Sequence, residues 1–185
     1  TAVAAEGAAR QIDPRSPYGG QASPCQDTEG DHGAVSSSAV GLALAAKKSN
    51  SSRRIFLITG DGELAEGSNW EAALAAAHYG LDNLIIINDK NNLQLAGPTR
   101  EIMNTDPLAD KWKAFGMTVT ECQGNDMASV VATLEGLKQE GKPNVVIANT
   151  TKGAGISFIQ GRPEWHHRVP KGEEIALALE ELKDE

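Results

Sequence analysis

The sequence predicts an α/β protein with a doubly wound, mostly parallel sheet and helices on both faces. Three observations carry that prediction. Short continuous aliphatic runs recur, of the kind that forms strands covered on both sides. Amphipathic helical stretches separate them at β-α spacing. Glycine- and asparagine-rich segments follow several of the runs, where the ligand-binding loops of a parallel sheet belong.

Residues 1–33 stand apart from this pattern and read as an irregular arm or loop. They hold three prolines, several Gly, Ser and Gln, and almost no large apolar side chain. Such a stretch buries too little surface to offset the entropy of ordering it. The α/β domain is expected over residues 34–185. Ala34 to Lys48 reads as its first helix, with Val35, Ala39, Leu42 and Ala46 on one stripe and lysines at the C-terminal end. Arg54 to Thr59 is the first buried strand. Ser68 to Tyr79 is the next helix, with Trp70, Ala73, Leu74 and Ala77 in register and Gly80 as its stop. Within it, Ser68-Asn69-Trp70-Glu71 has the form of a capping box.

Leu84 to Ile87 is a second buried strand, followed by a polar loop through Pro107 and a helix to Phe115. Met117 to Cys122 reads as a third strand. Asp126 is placed to cap a helix carrying Val130, Val131, Leu134 and Leu137. Val145 to Ala148 is a fourth strand, and a loop from Thr150 to Pro170 leads to a last helix, Glu173 to Leu182.

The 185 residues suit one domain with a single core. Hydrophobic residues make up 40% and charged residues 23%, an ordinary globular balance. With only three Phe, three Trp and two Tyr, that core must be aliphatic and alanine-based. A net charge of -8 without any Lys/Arg cluster argues against nucleic acid or an anionic membrane as partner. No apolar run approaches the ~18 residues of a membrane span, and the opening residues lack a signal-peptide pattern, so a cytoplasmic location is expected. Cys25 and Cys122 are expected to be free thiols.

Three strand ends carry reactive sequence: Gly60-Asp61-Gly62-Glu63, Asn88-Asp89-Lys90-Asn91-Asn92 and Thr151-Lys152-Gly153-Ala154-Gly155. Singly, each has an ordinary reading: a turn, an Asn-rich loop, a solvated lysine. Together they point elsewhere. If the first two strands are neighbours, Asp61 and Asn91 lie about 4.8 Å apart sideways. Both oxygens then reach one cation at the ~2.1 Å typical of Mg²⁺, with phosphate oxygens and water completing the octahedron. Gly60 and Gly62 leave room for a diphosphate near main-chain N–H groups and the positive end of the following helix.

The run GDGELAEGSNWEAALAAAHYGLDNLIIINDKNN resembles the thiamine-diphosphate motif of the transketolase family, which opens with GDG and closes with Asn. The likeness extends through QLAGPT, DKWKAFGM, GND, NTTKGAGISF and EWHHRVP, and covers residues 39–182 almost without interruption. It implies that Asp61 and Asn91 bind Mg²⁺ by side chain and Leu93 by its carbonyl. It also implies that Gly60 and Gly62 face the diphosphate of the cofactor, that Lys152 neutralises part of its charge, and that His166 faces cofactor and substrate. Glu66 and Glu71 match glutamates buried between two active sites, where they share protons; for Glu71 the capping role competes with this.

Upstream, EGDHGAVSS stands where the family has TGSLGQGLS. Gly30 and Gly33 match, while His32 replaces Leu, as in the related 1-deoxyxylulose-5-phosphate synthases; Gly30 and His32 are thus the remaining cofactor candidates. The family's long preceding segment, with its active-site histidines, has no counterpart in residues 1–33. The likeness also stops short of a pyrimidine-binding domain, so a separate chain is expected to supply it. The implied function is a diphosphate-binding subunit moving a two-carbon ketol unit from a ketose phosphate to an aldose phosphate, self-associated through a two-fold interface. The alternatives are a subunit of a deoxyxylulose-phosphate synthase-like enzyme, or a non-catalytic remnant that binds cofactor or a partner.

Overall fold

A computed structural model describes residues 9–12, 23–24, 32–95 and 97–183. In chain order the elements are β1 (Ala9–Ile12), β2 (Ser23–Pro24), α1 (His32–Lys48), β3 (Arg54–Gly60), α2 (Gly67–His78), β4 (Leu84–Lys90), β5 (Leu93–Gln94) and β6 (Gly97–Pro98). There follow α3 (Thr99–Ile102), α4 (Leu108–Ala114), β7 (Thr118–Gln123), α5 (Met127–Gly136), β8 (Asn144–Asn149) and α6 (Glu173–Glu181). Two 3₁₀ turns, Glu63–Ala65 and Pro163–Trp165, interrupt the loops.

The main sheet has the order β2-β1-β3-β4-β8-β7. Strands β3, β4, β8 and β7 are parallel, with Gly60 opposite Asp89 and Lys90 opposite Asn149. Winding runs one way from β3 to β4 and the other way from β7 to β8. A right-handed crossover then puts the connecting helices on opposite faces. Accordingly α1, α2 and α4 cover one face around Ile55, Leu57, Leu84, Ile86, Val145 and Ile147. Val130 and Leu134 of α5 cover the other, against Ile85, Cys122, Val146 and Ala148. The doubly wound parallel fold expected from the sequence is the one observed.

Local differences have physical reasons. Within the arm of residues 1–33, β1 and β2 pair antiparallel at the β3 edge, where open main-chain groups offer partners that composition alone does not reveal. The capping box does not form: α2 begins at Gly67, Glu66 occupies the cap position, and no side chain caps it. Leu74 and Leu42 do not lie on the buried stripes assigned to them. Leu74 is 62% exposed, because α2 turns Asn69, Ala72, Ala73 and Ala76 inward instead. Small side chains let α2 lie close to the sheet and to α1. Trp70 packs beside Trp112 (centroids 4.9 Å apart) and Phe115 (5.6 Å), tying α2 to α4. Asp126 caps α5 as expected, accepting from the Ala128 N–H at 3.0 Å. Val131 of that helix is exposed. No helix among the described residues is long and apolar enough to cross a membrane.

Candidate functional site

The C-terminal ends of β3 and β4 meet at one cavity of about 270 Å³. Gly60, Asp61, Gly62, Glu63 and Glu66 line it from the β3 side, Asn91, Leu93, Gln94 and Leu95 from the β4 side, and Ile102 and His166 complete the wall. Leu84, Ile85 and Ile86 drive β4 into the core with exposures of 3% or less. Asn91 and Asn92 then leave it. Asn92 takes φ = 60°, a left-handed conformation that Asn tolerates better than most residues, and so turns the chain back beside β3.

Asp61 is only 3% exposed. Its Oδ2 accepts the Asn92 N–H in a short hydrogen bond, which joins the two strand-end loops. Burial outweighs this bond and pushes the carboxyl up to about 6, with a contribution from Asp89. Asn91 Oδ1 accepts the Leu93 N–H at 3.0 Å. The Leu93 carbonyl follows from hairpin geometry. Leu93 faces Pro98, and the Thr99 N–H bonds the Asn92 carbonyl at 3.0 Å. That makes Leu93–Pro98 a non-hydrogen-bonded pair, in which a residue's N–H and C=O both point away from the partner strand. The Leu93 N–H reaches Asn91 on that outer side, and its carbonyl shares the direction.

One buried carboxylate, one amide oxygen and one main-chain carbonyl are therefore grouped: hard oxygen donors, suited to Mg²⁺ or Ca²⁺ and unsuited to zinc or copper. Raised to about 6, the Asp61 carboxyl is mostly ionised at neutral pH although buried, and a cation would offset that charge. Among the described residues there is no cluster of three or more His, Cys, Asp or Glu, so a cation here depends on this mixed set and on ligand oxygens. Gly62 packs against the Gln94 side chain, and a Cβ there would stand 3.3 Å from Gln94 Cγ.

Lys152 and His166 arrive from the loop after β8. The Gly161 N–H bonds the Lys152 carbonyl at 2.8 Å and folds the loop on itself, and Gly153 adopts φ = 71°. Trp165 is buried against Phe158 and beneath the Arg168 guanidinium, which lies 4.1 Å from the ring centroid. This anchors His166 at the cavity wall. Lys152 Nζ donates to His166 Nδ1 at 3.0 Å. An ammonium only donates, so a neutral His166 then carries its proton on Nε2. His167 is exposed and lies outside the cavity lining.

The sequence-predicted site residues thus divide. Asp61, Gly60, Gly62, Asn91, Leu93, Glu66 and His166 share the cavity, and Lys152 touches it through His166. Glu71 is exposed on α2 and does not line it. Gly30 lies outside the described residues, and of His32 only the backbone, in the first turn of α1, is described. The Gly60 N–H donates to Glu63 Oε2 at 3.0 Å. Sequence reasoning gave Glu63 no role, although its place directly after the motif was a signal.

The chain has relatives among known proteins. A family profile described as "Transketolase, thiamine diphosphate binding domain" matches residues 14–183. An apulose-4-phosphate transketolase subunit of Actinobacillus succinogenes is 76% identical over 147 residues, which is 80% of this chain and 53% of that protein. A 6-deoxy-6-sulfo-D-fructose transketolase subunit of a Clostridium species is 40% identical, over 85% of this chain and 58% of its own length. The chain spans about half the length of the curated relatives it matches. Among solved structures, the transketolase of Campylobacter jejuni superposes with a TM-score of 0.74 at 33% identity, covering 80% of this chain and 24% of that one. The chain belongs to the transketolase family, as a thiamine-diphosphate-binding domain.

Proposed function

We propose that this chain is the diphosphate-binding half of a two-chain, transketolase-like transferase that moves a two-carbon ketol unit from a ketose phosphate to an aldose phosphate. One observation carries the reading: Asp61, Asn91, the Leu93 carbonyl, Gly62 and the Lys152–His166 pair converge at one cavity beyond the parallel strand ends. When bound, thiamine diphosphate supplies the carbanion-stabilising chemistry. The chain's own residues hold and orient it. Asp61 and Asn91 by side chain and Leu93 by carbonyl would hold Mg²⁺. Lys152 adds positive charge toward the diphosphate. His166, with its proton on Nε2, donates to substrate oxygens and stabilises charge developing on them. Glu66 is at hand in the same wall to hold or pass a proton.

The names of the relatives, subunits of transketolases acting on apulose-4-phosphate and 6-deoxy-6-sulfo-D-fructose, support a division between two chains and an acidic sugar derivative as substrate. The partner carries the pyrimidine-binding domain, and the assembly is a cytoplasmic two-plus-two heterotetramer. Reconstitution tests this. The purified chain alone is expected to transfer no ketol group from a ketose phosphate. Adding a separately purified pyrimidine-domain chain, with thiamine diphosphate and Mg²⁺, is expected to restore transfer in a coupled assay. Turnover by this chain alone, free of contaminants by mass spectrometry, would refute the split-enzyme reading.

A further inference from the structure

Glu63 is the buried acid of the cavity wall that the reading above does not use. Its Oε2 accepts the Gly60 N–H at 3.0 Å, and its own carbonyl accepts Asn69 Nδ2 at 2.6 Å. Asn69 Oδ1 in turn accepts the Ser36 hydroxyl at 2.5 Å. Exposures are 4% for Ser36, 1% for Asn69 and 9% for Glu63. Four segments are thereby joined by one buried run: the second turn of α1, the first turn of α2, the 3₁₀ turn and the end of β3.

The geometry encloses Asp61. Glu63 reaches back three residues and closes a ring over Gly60–Glu63, and Asp61 lies inside that ring. The Asp61 carboxylate is fixed from the other side by the Asn92 N–H. Held on both sides by these bonds, Asp61 is preorganised: ligands held before the cation arrives spare the ordering entropy of binding.

We propose that Glu63 is a positioning residue for the cation site, holding the Gly60–Glu63 turn so that Asp61 meets Mg²⁺ already ordered, while Asn69 and Ser36 fix the Glu63 backbone. This rests on the reading of Asp61 and Asn91 as Mg²⁺ ligands. The hydrogen bond, rather than the negative charge, performs the task, so Glu63→Gln should rescue what Glu63→Ala loses.

The test uses the full chain with thiamine diphosphate, and Mn²⁺ as probe, its uptake followed by loss of the free-ion paramagnetic resonance signal. Glu63→Ala is expected to raise the Mn²⁺ dissociation constant roughly fivefold, the effect of one ordinary hydrogen bond. Glu63→Gln is expected to stay near the unmodified chain, with thermal midpoints read alongside. An unchanged constant in Glu63→Ala, even with a lowered midpoint, overturns the proposal. Equal losses in both variants overturn it too, because charge would then be the cause. Should Glu63→Ala fail to fold, Ser36→Ala at the far end of the run is expected to weaken uptake about twofold, and no change there overturns the proposal. Asp61→Ala separates the two levels. If the unmodified chain takes up no Mn²⁺, or Asp61→Ala takes up as much, the cation reading itself fails and Glu63 has nothing to position.

Discussion

At Asp61 the fold bears the cost of a buried carboxyl. The carboxyl is buried, the Asn92 N–H offsets part of its desolvation, and its pKa still rises from 3.8 to about 6. An acid whose folded pKa is raised contributes stability while protonated, and loses that contribution as pH climbs through the folded value. Without metal, the thermal midpoint should therefore fall between about pH 4 and pH 6. Mg²⁺ needs the ionised form, so with thiamine diphosphate present its binding should tighten over the same window and level off above about pH 6. In Asp61→Ala both dependences should disappear while the fold survives. Scanning calorimetry and Mg²⁺ titration at several pH values read both, and a flat Mg²⁺ profile in the unmodified chain would move the cation away from Asp61. That Asp61 and Asn91 would meet was legible in the sequence, because groups at two strand ends need only adjacent parallel strands to come together. The Glu63–Gly60 bond and the Lys152–His166 contact were not, since each depends on how an aperiodic loop folds back.

Element positions were legible wherever burial is periodic or continuous. The aliphatic runs at β3, β4 and β8 became central strands because each is covered on both faces. Short polar elements escaped: the β5–β6 hairpin, α3 and the two 3₁₀ turns bury little and carry no period. The capping box at Ser68 failed because α2 starts at Gly67, which puts Ser68 inside the first turn. The loop after β8 is the element most open to a single change. Gly153 has φ = 71°, and a Cβ there would meet Ile159 Cγ2 at 2.6 Å and the Ile159 carbonyl carbon at 3.2 Å. Gly153→Ala combines a left-handed residue with a clash against the Ile159 side chain and a tight approach to its carbonyl carbon, at a cost of about 1–3 kcal/mol. It should lower the thermal midpoint and shift Lys152 off His166. The paired outcome is a lowered midpoint together with weakened thiamine-diphosphate affinity. A stable variant with unchanged affinity would mean the loop conformation is immaterial to the site.

At the scale of the molecule, the exposed face of α2 is one surface through which copies of the chain could meet. Glu71, Leu74 and His78 succeed one another there at i, i+3 and i+7, all exposed, with Leu74 at 62% and Tyr79 beyond the helix end at 49%. The opposite face is filled with alanines, so this row was not left outside by a crowded core. Sequence periodicity could not separate the two faces, because Leu74 and the alanines are all apolar and only the tertiary contact chooses between them. The row lies on the helix that follows the cavity, beginning beside Glu66. If two copies meet through α2 about a two-fold axis, Leu74 becomes buried and Glu71 is drawn toward the boundary between two sites, the place its family counterpart suggests. An isologous contact brings each such residue near its own copy, so one substitution acts twice. Leu74→Glu would then bury two facing carboxylates in an apolar seam, a change that outweighs what a moderate interface supplies. Light scattering coupled to gel filtration is expected to give a dimeric mass for the unmodified chain and half that mass for Leu74→Glu, with circular dichroism unchanged. An unmodified chain that is monomeric at all concentrations, or a Leu74→Glu variant that stays dimeric, would place the self-contact on another face and leave Leu74 for the partner chain.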